Sequence, residues 1–239
     1  MALHVTFLEG SSLLGYLPEV SPNLKNLSHI TAVNLYFGPM RKYVRLSGPS
    51  GSLRLLASPD FSEHRRINES TAEDEVLRSL VPILSKTQRL VVSGYTESDP
   101  ADAENCPLLR FFSSVHNLRT LTLTECNNLP FVLALNPEDN PTKVVLCPKL
   151  EEILLYVELE DNFHIQSLID MAKNRESRGA KLSSVVAIGL GGFQPGEEMF
   201  NLREHVVSVE RRVDAEPPAW DDIRGGVLDE ELGEQLTTD

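Results

Sequence analysis

Leucine and other apolar residues recur along the middle of this chain in a phrase that repeats every 31 or 32 residues. The clearest copy runs from Leu118 to Leu129 and has the form LxxLxLxxCxNL. Leu150–Leu155 and Leu182–Ala187 repeat its first half at intervals of 32 residues, and Thr87–Val92 precedes it by 31. A fixed period of this length is typical of stacked structural repeats. The pattern therefore predicts a repeat architecture over residues 87–187.

Each copy of the phrase predicts a strand, because its last three positions alternate as a short strand with one buried face requires. Helix-like stretches precede three of the strands, at Thr71–Ser85, Pro107–Val115 and Phe163–Arg178. Crossovers of this length suit parallel strands. The sequence therefore predicts an α/β fold, a leucine-rich-repeat solenoid with parallel strands on the concave face of an open horseshoe and helices on the convex face. A doubly wound sheet is the alternative.

The N-terminal third is less regular than the middle of the chain. Leu3–Phe7 and Ile30–Leu35 resemble further strands. Two alternating runs around a Gly-Pro-Ser-Gly turn predict a β-hairpin over about residues 43–56, inserted between repeats. The polar stretch at about 58–70 is predicted to be a mobile loop, and Val207–Val213 a final edge strand.

Charge divides the chain into two parts. The formal net charge is −13, and residues 214–239 hold nine acidic residues and one basic residue. We therefore expect a repeat domain over residues 1–213 and an acidic, disordered tail over 214–239. An acidic chain without a long apolar run suggests neither a nucleic acid nor a membrane as a partner. Three widely spaced cysteines without a CxxC pair favour an intracellular protein, cytoplasmic or nuclear.

Three segments carry a more specific likeness, at Cys147–Val157, Ala172–Val185 and Pro217–Asp222. Together with the repeat units, they resemble fungal (mushroom-type) F-box/leucine-rich-repeat proteins, over about residues 3–224 and most strongly after residue 140. In that family an N-terminal F-box binds the adaptor of a Cullin-type ubiquitin ligase, and the repeats bind a target. The resemblance implies that this chain recognises a substrate protein for such a ligase.

The chain departs from that family at its N-terminal end. Residues 1–30 are too short for an F-box and are predicted to be repeat material. We therefore do not expect the ligase adaptor to bind this chain directly. Two alternatives stay open, an enzyme built on a doubly wound sheet and a truncated fragment with no independent function.

The predicted fold also indicates where a protein partner would bind. In an open horseshoe the variable strand positions face the concave side, and equivalent positions lie about 4.8 Å apart on neighbouring strands. The candidate partner-binding positions are Arg89, Val91, Ser93, Thr120, Thr122, Thr124, Glu152, Leu154, Tyr156, Ser184, Val186 and Ile188. We expect their apolar members to form an exposed patch, of the kind that marks interaction sites. The alternatives are that β-propensity alone selects these residues or that the tail covers them.

Catalytic, cofactor and metal sites are not predicted. Cys126 occupies the structural position of the repeat, and the six histidines lack the HxH or HExxH spacing of metal ligands. The glycine-rich run Gly189–Gly196 matches neither a Walker loop nor GxGxxG. The sequence therefore predicts a non-enzymatic interaction protein that needs no cofactor and binds a protein target it does not identify.

Overall fold

The computed structural model describes residues 4–7, 29–37, 42–49, 51–57, 77, 80, 84–95, 107–140, 142–157, 163–190 and 196–213. The predicted mobile loop at about 58–70 and the predicted tail over 214–239 lie outside these residues. The division of the chain at residue 213 therefore stays a prediction.

The elements whose bounds are described are nine strands, three α-helices and one 3-10 helix. The strands are β1 (His4–Phe7), β2 (Ala32–Phe37), β3 (Lys42–Gly48), β4 (Gly51–Ala57), β5 (Arg89–Ser93), β6 (Thr120–Thr124), β7 (Glu152–Val157), β8 (Ser184–Gly189) and β9 (Ser208–Val213). The helices are α1 (Pro107–Ser114), α2 (Leu129–Leu135) and α3 (Ile165–Ser177), and the 3-10 helix is Glu197–Glu204.

The nine described strands belong to one mostly parallel sheet, in the order β1-β4-β3-β2-β5-β6-β7-β8-β9. Strand β2 pairs in parallel with β5, and β5 to β9 follow one another in sequence order, each parallel to the next. The prediction of an α/β fold with a parallel sheet is confirmed. Among β5 to β9 the order contains no reversal.

The predicted hairpin is present as β3 and β4, which pair antiparallel with Gly48 opposite Gly51. It does not separate β2 from β5, because those strands are direct neighbours. Instead, the hairpin extends the sheet outwards from β2 and carries β1 on its far side. Glycine is required at Gly48, where a Cβ atom would overlap the backbone carbonyl of His29.

The main hydrophobic core of the described residues lies between the helices and one face of the sheet. Each central strand contributes alternate side chains, such as Leu121 and Leu123 of β6, and the helices add large apolar residues. The strand positions come into register because β5 to β8 pair without an offset at Leu90, Leu121, Ile153 and Val185. The apolar positions of the sequence phrase therefore form the core, as predicted.

The same backbone hydrogen bonds recur between successive strands at the turn that precedes each one. The carbonyl oxygen of Gln88 accepts the N–H groups of Arg119 and Thr120, at 2.8 and 3.0 Å. The Arg119 carbonyl accepts those of Glu151 and Glu152, and the pattern continues from β7 to β8. One carbonyl in each turn thus fixes the register of the next strand against the preceding one.

Helix prediction succeeded where the apolar residues are periodic. Both α1 and α3 lie within the predicted stretches. In the predicted helix at Thr71–Ser85, Leu77 and Leu80 are helical and buried, and most of its other residues lie outside the described ranges. The sequence analysis missed α2, because its sequence LPFVLAL is almost continuously apolar and shows no helical period. It also missed the 3-10 helix.

Thr87 is a weak point in the core. It is fully buried at the position that leucine holds in the next three repeats, and its hydroxyl has no hydrogen-bond partner among the described residues. A buried polar group without a partner costs about 1–3 kcal/mol of stability.

We expect Thr87→Val to raise the free energy of unfolding by about 1 kcal/mol. Urea denaturation measures this, with the half-buried Thr120→Val as control, and a loss of stability in Thr87→Val would contradict the interpretation.

Candidate interaction surface

The candidate partner-binding positions lie in rows across neighbouring strands, as the sequence predicts. Thr122 pairs with Leu154, and Leu154 with Val186. In the next row, Thr124, Tyr156 and Ile188 pair in the same way. Because side chains alternate along a strand, these rows lie on the face opposite the helices. We call this the far face of the sheet.

The prediction of an exposed apolar patch on the far face is wrong. Tyr156, Val186 and Ile188 are 6%, 4% and 1% exposed, and together they form a hydrophobic cluster that is separate from the main core. Leu154 is half-buried and packs against this cluster with Leu190. We call Tyr156, Val186 and Ile188 the far-face cluster.

Polar residues of the far face are also buried next to the cluster. Ser93, Thr122 and Thr124 are 1–2% exposed, and the Thr122 hydroxyl has no hydrogen-bond partner among the residues described. Val91, in the same row as Thr122, is half-buried. The carboxyl-terminal halves of β5 to β8 are therefore closed on both faces.

Accessible positions lie in the row at the amino-terminal ends of the strands. Arg89 is exposed, and Thr120, Glu152 and Ser184 are half-buried. Strand β9 adds the exposed Ser208 to this row, since Ser208 pairs with Ser184. We call Arg89, Thr120, Glu152, Ser184 and Ser208 the polar strip.

Strand β9 also supplies far-face residues that the sequence analysis missed. Glu210 pairs with Val186 and Arg212 with Ile188, so both extend the predicted rows. The signal was present in the alternation of Val209, Arg211 and Val213, which assigns the residues between them to the opposite face.

Two arginines place positive charge around Tyr156. The guanidinium of Arg212 binds Glu210 through Nε at 3.0 Å and Nη2 at 2.5 Å, and this pairing raises the pKa of Arg212. Burial raises the pKa of the Tyr156 hydroxyl, while the positive charges of Arg212 and Arg89 act in the opposite direction. Arg212 belongs to the same row as Tyr156, because Arg212 pairs with Ile188 and Ile188 pairs with Tyr156.

The turns before the strands carry polar contacts between residues 32 positions apart. Asn117 donates to the Ser85 carbonyl at 2.7 Å and accepts from Lys149 Nζ at 2.8 Å. Arg119 binds Glu151 at 2.8 Å, with both side chains 52% exposed. Ion pairs this exposed stabilise a fold by little. They leave polar groups available next to the polar strip.

The described cysteines have structural roles. Cys126 is buried, as predicted, and its thiol donates to the Thr124 carbonyl at 3.2 Å. Cys147 is also buried, its thiol donates to the Phe112 carbonyl at 3.4 Å, and burial raises its pKa to about 12. Cys106 lies outside the described residues. Within the described ranges there is no group of three or more His, Cys, Asp or Glu residues that could hold a metal ion.

Arg175 is a fully buried residue within the helix that the sequence predicts at Phe163–Arg178. Its guanidinium donates to the carbonyl of Leu146 at 2.8 Å and to that of Cys147 at 2.9 Å. Burial lowers its pKa to about 10, so the side chain remains protonated at neutral pH. Arg175 thus joins α3 to the segment that leads into β7, where Cys147 adopts a φ of 47°.

We expect Arg175→Met to lower the free energy of unfolding by about 1–3 kcal/mol, because it removes two buried hydrogen bonds from a charged donor. The Cys147 carbonyl keeps the N–H of Leu150 as a donor. The matched control is Arg178→Met, directly after the C-terminal end of the same helix, where the side chain is 37% exposed and water can replace its contacts. Chemical denaturation compares the two variants. Equal losses of stability would contradict a special role for Arg175.

The raised pKa of Cys147 predicts a loss of stability in alkali. The unfolded thiol ionises near its ordinary value of 9.0, whereas the folded thiol stays protonated to about pH 12. The contribution of Cys147 to the free energy of unfolding is therefore fully present below pH 9. It falls as the pH rises towards 12, by up to about 1.4 kcal/mol per pH unit. Between pH 9 and 10, Cys147→Ala should show a shallower decline than the natural chain in denaturant titrations. Parallel declines would contradict the assignment.

Comparisons with models of known protein families, with curated proteins and with solved structures found no match. The resemblance to F-box/leucine-rich-repeat proteins therefore stays a prediction. In the part of the chain that the structure describes, no helix has both the length and the apolar character needed to cross a membrane.

Proposed function

We propose that this chain is a non-enzymatic interaction module of the leucine-rich-repeat type, which binds a protein partner through the polar strip. The observation that carries the proposal is the exact recurrence of register and turn hydrogen bonds from β5 to β8. Such recurrence is expected when one structural unit is stacked repeatedly. Stacking places equivalent side chains side by side and so produces an extended surface rather than a pocket.

The order of the strands favours a solenoid over a doubly wound sheet. A doubly wound sheet reverses its strand order at a switch point and binds ligands in the crevice formed there. Strands β5 to β9 follow the sequence without such a reversal. The described helices also contribute to one core on one side of the sheet, whereas a doubly wound fold has helices on both sides.

The polar strip is the part of the predicted concave face that a partner could reach. It combines Arg89 and Glu152 with three hydroxyl side chains, and it lies beside the exposed Arg119 and Glu151. Charges of both signs on an accessible surface favour a partner with a complementary polar surface. A protein partner with mixed charge fits this chemistry better than a nucleic acid, which needs clustered basic residues.

Substrate recognition for a ubiquitin ligase is the specific form of this proposal, and it rests on the family resemblance alone. In that case the polar strip would bind the target, and the ligase adaptor would not bind this chain directly. An enzyme on an α/β sheet and a fragment without independent function remain the alternatives.

A charge-reversal pair tests the proposal without changing the net charge. We expect Arg89→Glu combined with Glu152→Arg to weaken partner binding at least tenfold, which corresponds to about 1.4 kcal/mol. The matched control is Arg110→Glu combined with Glu198→Arg, two exposed positions on α1 and the 3-10 helix. Affinity purification from the source cells with quantitative mass spectrometry identifies the partner, and titration of the purified partner measures its affinity.

Both double variants should melt within a few degrees of the natural chain, since all four positions are exposed or half-buried. Equal binding by the two double variants would contradict the polar strip as the binding surface. Failure to enrich any protein over an unrelated bait would contradict the interaction module itself. Recovery of the ligase adaptor in a direct complex with this chain would contradict the expectation that the adaptor does not bind it directly.

A further inference from the structure

Lysine recurs in the turns that precede three of the repeat strands. Lys86, Lys149 and Lys181 each stand directly before the repeated phrase, and Asn117 holds the same position in the repeat that follows Lys86. The turns are stacked, because one carbonyl in each accepts two N–H groups of the next. These side chains therefore form a row along one edge of the sheet, three residues before the polar strip.

Two hydrogen bonds through Asn117 join three of these turns. The side-chain amide of Asn117 donates to the Ser85 carbonyl at 2.7 Å, and its Oδ1 accepts from Lys149 Nζ at 2.8 Å. The Ser85 carbonyl can only accept, so it fixes which end of the amide faces Lys149. Asn117 thus directs the Lys149 ammonium towards the turn that carries Lys86.

Two lysines of the row have no carboxylate to neutralise them within the described ranges. Lys86 and Lys149 are exposed and take part in no ion pair there, whereas Lys181 binds Glu176 at 2.6 Å. An exposed ammonium that faces only water or a neutral amide is free to form a charge-assisted contact with an outside carboxylate. We call Lys86, Asn117 and Lys149 the lysine edge.

The spacing of the lysine edge suits an extended peptide. Equivalent positions two strands apart are separated by about 10 Å. In a polyproline II segment every third side chain points in the same direction, and three residues rise by about 9 Å. Two acidic residues three positions apart in such a segment can therefore each face one lysine.

The charges around the lysine edge favour a peptide over a nucleic acid. The exposed Glu151 and the half-buried Glu152 follow Lys149 closely in the chain. Phosphates recur about every 3.4 Å along each strand of a duplex, so some would face these carboxylates. A peptide can carry neutral residues at those places. Repulsion by the rest of the acidic chain is screened beyond about 8 Å at physiological salt.

We propose that the lysine edge binds an extended acidic segment of a protein partner, with Lys86 and Lys149 each facing one carboxylate. The same partner would then contact the polar strip, since Lys86 and Arg89 are three residues apart. This continuity of the two surfaces rests on the proposed function, whereas the binding of an acidic segment does not.

A synthetic peptide tests the proposal on the full chain. The probe is a fluorescein-labelled peptide with glutamate at every third position, and its control carries glutamine at those positions. At low ionic strength we expect fluorescence anisotropy to show roughly tenfold tighter binding of the glutamate peptide, as two exposed charge contacts would give. Added NaCl should reduce this difference, because salt screens exposed charges.

Two double variants locate the peptide on the surface. Lys86→Gln combined with Lys149→Gln should abolish most of the preference for the glutamate peptide. Arg110→Gln combined with Lys173→Gln removes the same charge at exposed helix positions and should retain the preference. Circular dichroism establishes that each variant is folded, and all four side chains are exposed.

Three results would overturn the proposal. The first is equal binding of the glutamate and glutamine peptides, and the second is an equal loss of preference in the two double variants. The third is tighter binding of a single-stranded oligonucleotide of the same charge, which would indicate a nucleic-acid surface instead. The peptide assay needs no natural partner, so its failure leaves the charge-reversal test of the polar strip intact, and the reverse also holds.

Discussion

The hydrogen bonds at the turn before each strand determine the arrangement of the rest of the fold. One carbonyl accepts two successive N–H groups of the next turn, and this occurs in sequence from Gln88 to Arg119 and Glu151. The contact fixes strand register, and register decides which side chains enter the core because a shift by one residue would reverse the faces. The main core beneath the helices and the rows of the far face both follow from it.

Much of this arrangement could be predicted because the chain repeats itself. A residue type recurring at a fixed interval marks equivalent environments, so Leu121, Ile153 and Val185 could be assigned to one buried row from the sequence alone. The hairpin was recognisable from its turn residues, which need no tertiary information. The rows Thr122–Leu154–Val186 and Thr124–Tyr156–Ile188 followed from the same alignment.

What the sequence analysis missed depends on contacts that local patterns do not encode. Periodicity distinguishes the two faces of a strand but not whether both are covered, so the burial of Ile188 could not be recognised from an alternating pattern. Helix α2 is apolar along nearly its whole length and therefore has no period to detect. Arg175 can be buried because two carbonyl oxygens, 28–29 residues earlier in the chain, accept hydrogen bonds from its guanidinium. The sequence alone does not indicate such distant partners.

The two outer strands of the described sheet have a consequence for solubility. An unpaired strand edge offers backbone groups to other chains, and proteins protect such edges with short strands or with charged residues. Strand β1 is only four residues long, and β9 has three consecutive charged residues, Glu210, Arg211 and Arg212. Both ends of the sheet are therefore poor templates for edge-to-edge polymerisation, although the parallel stack between them would otherwise be easy to extend.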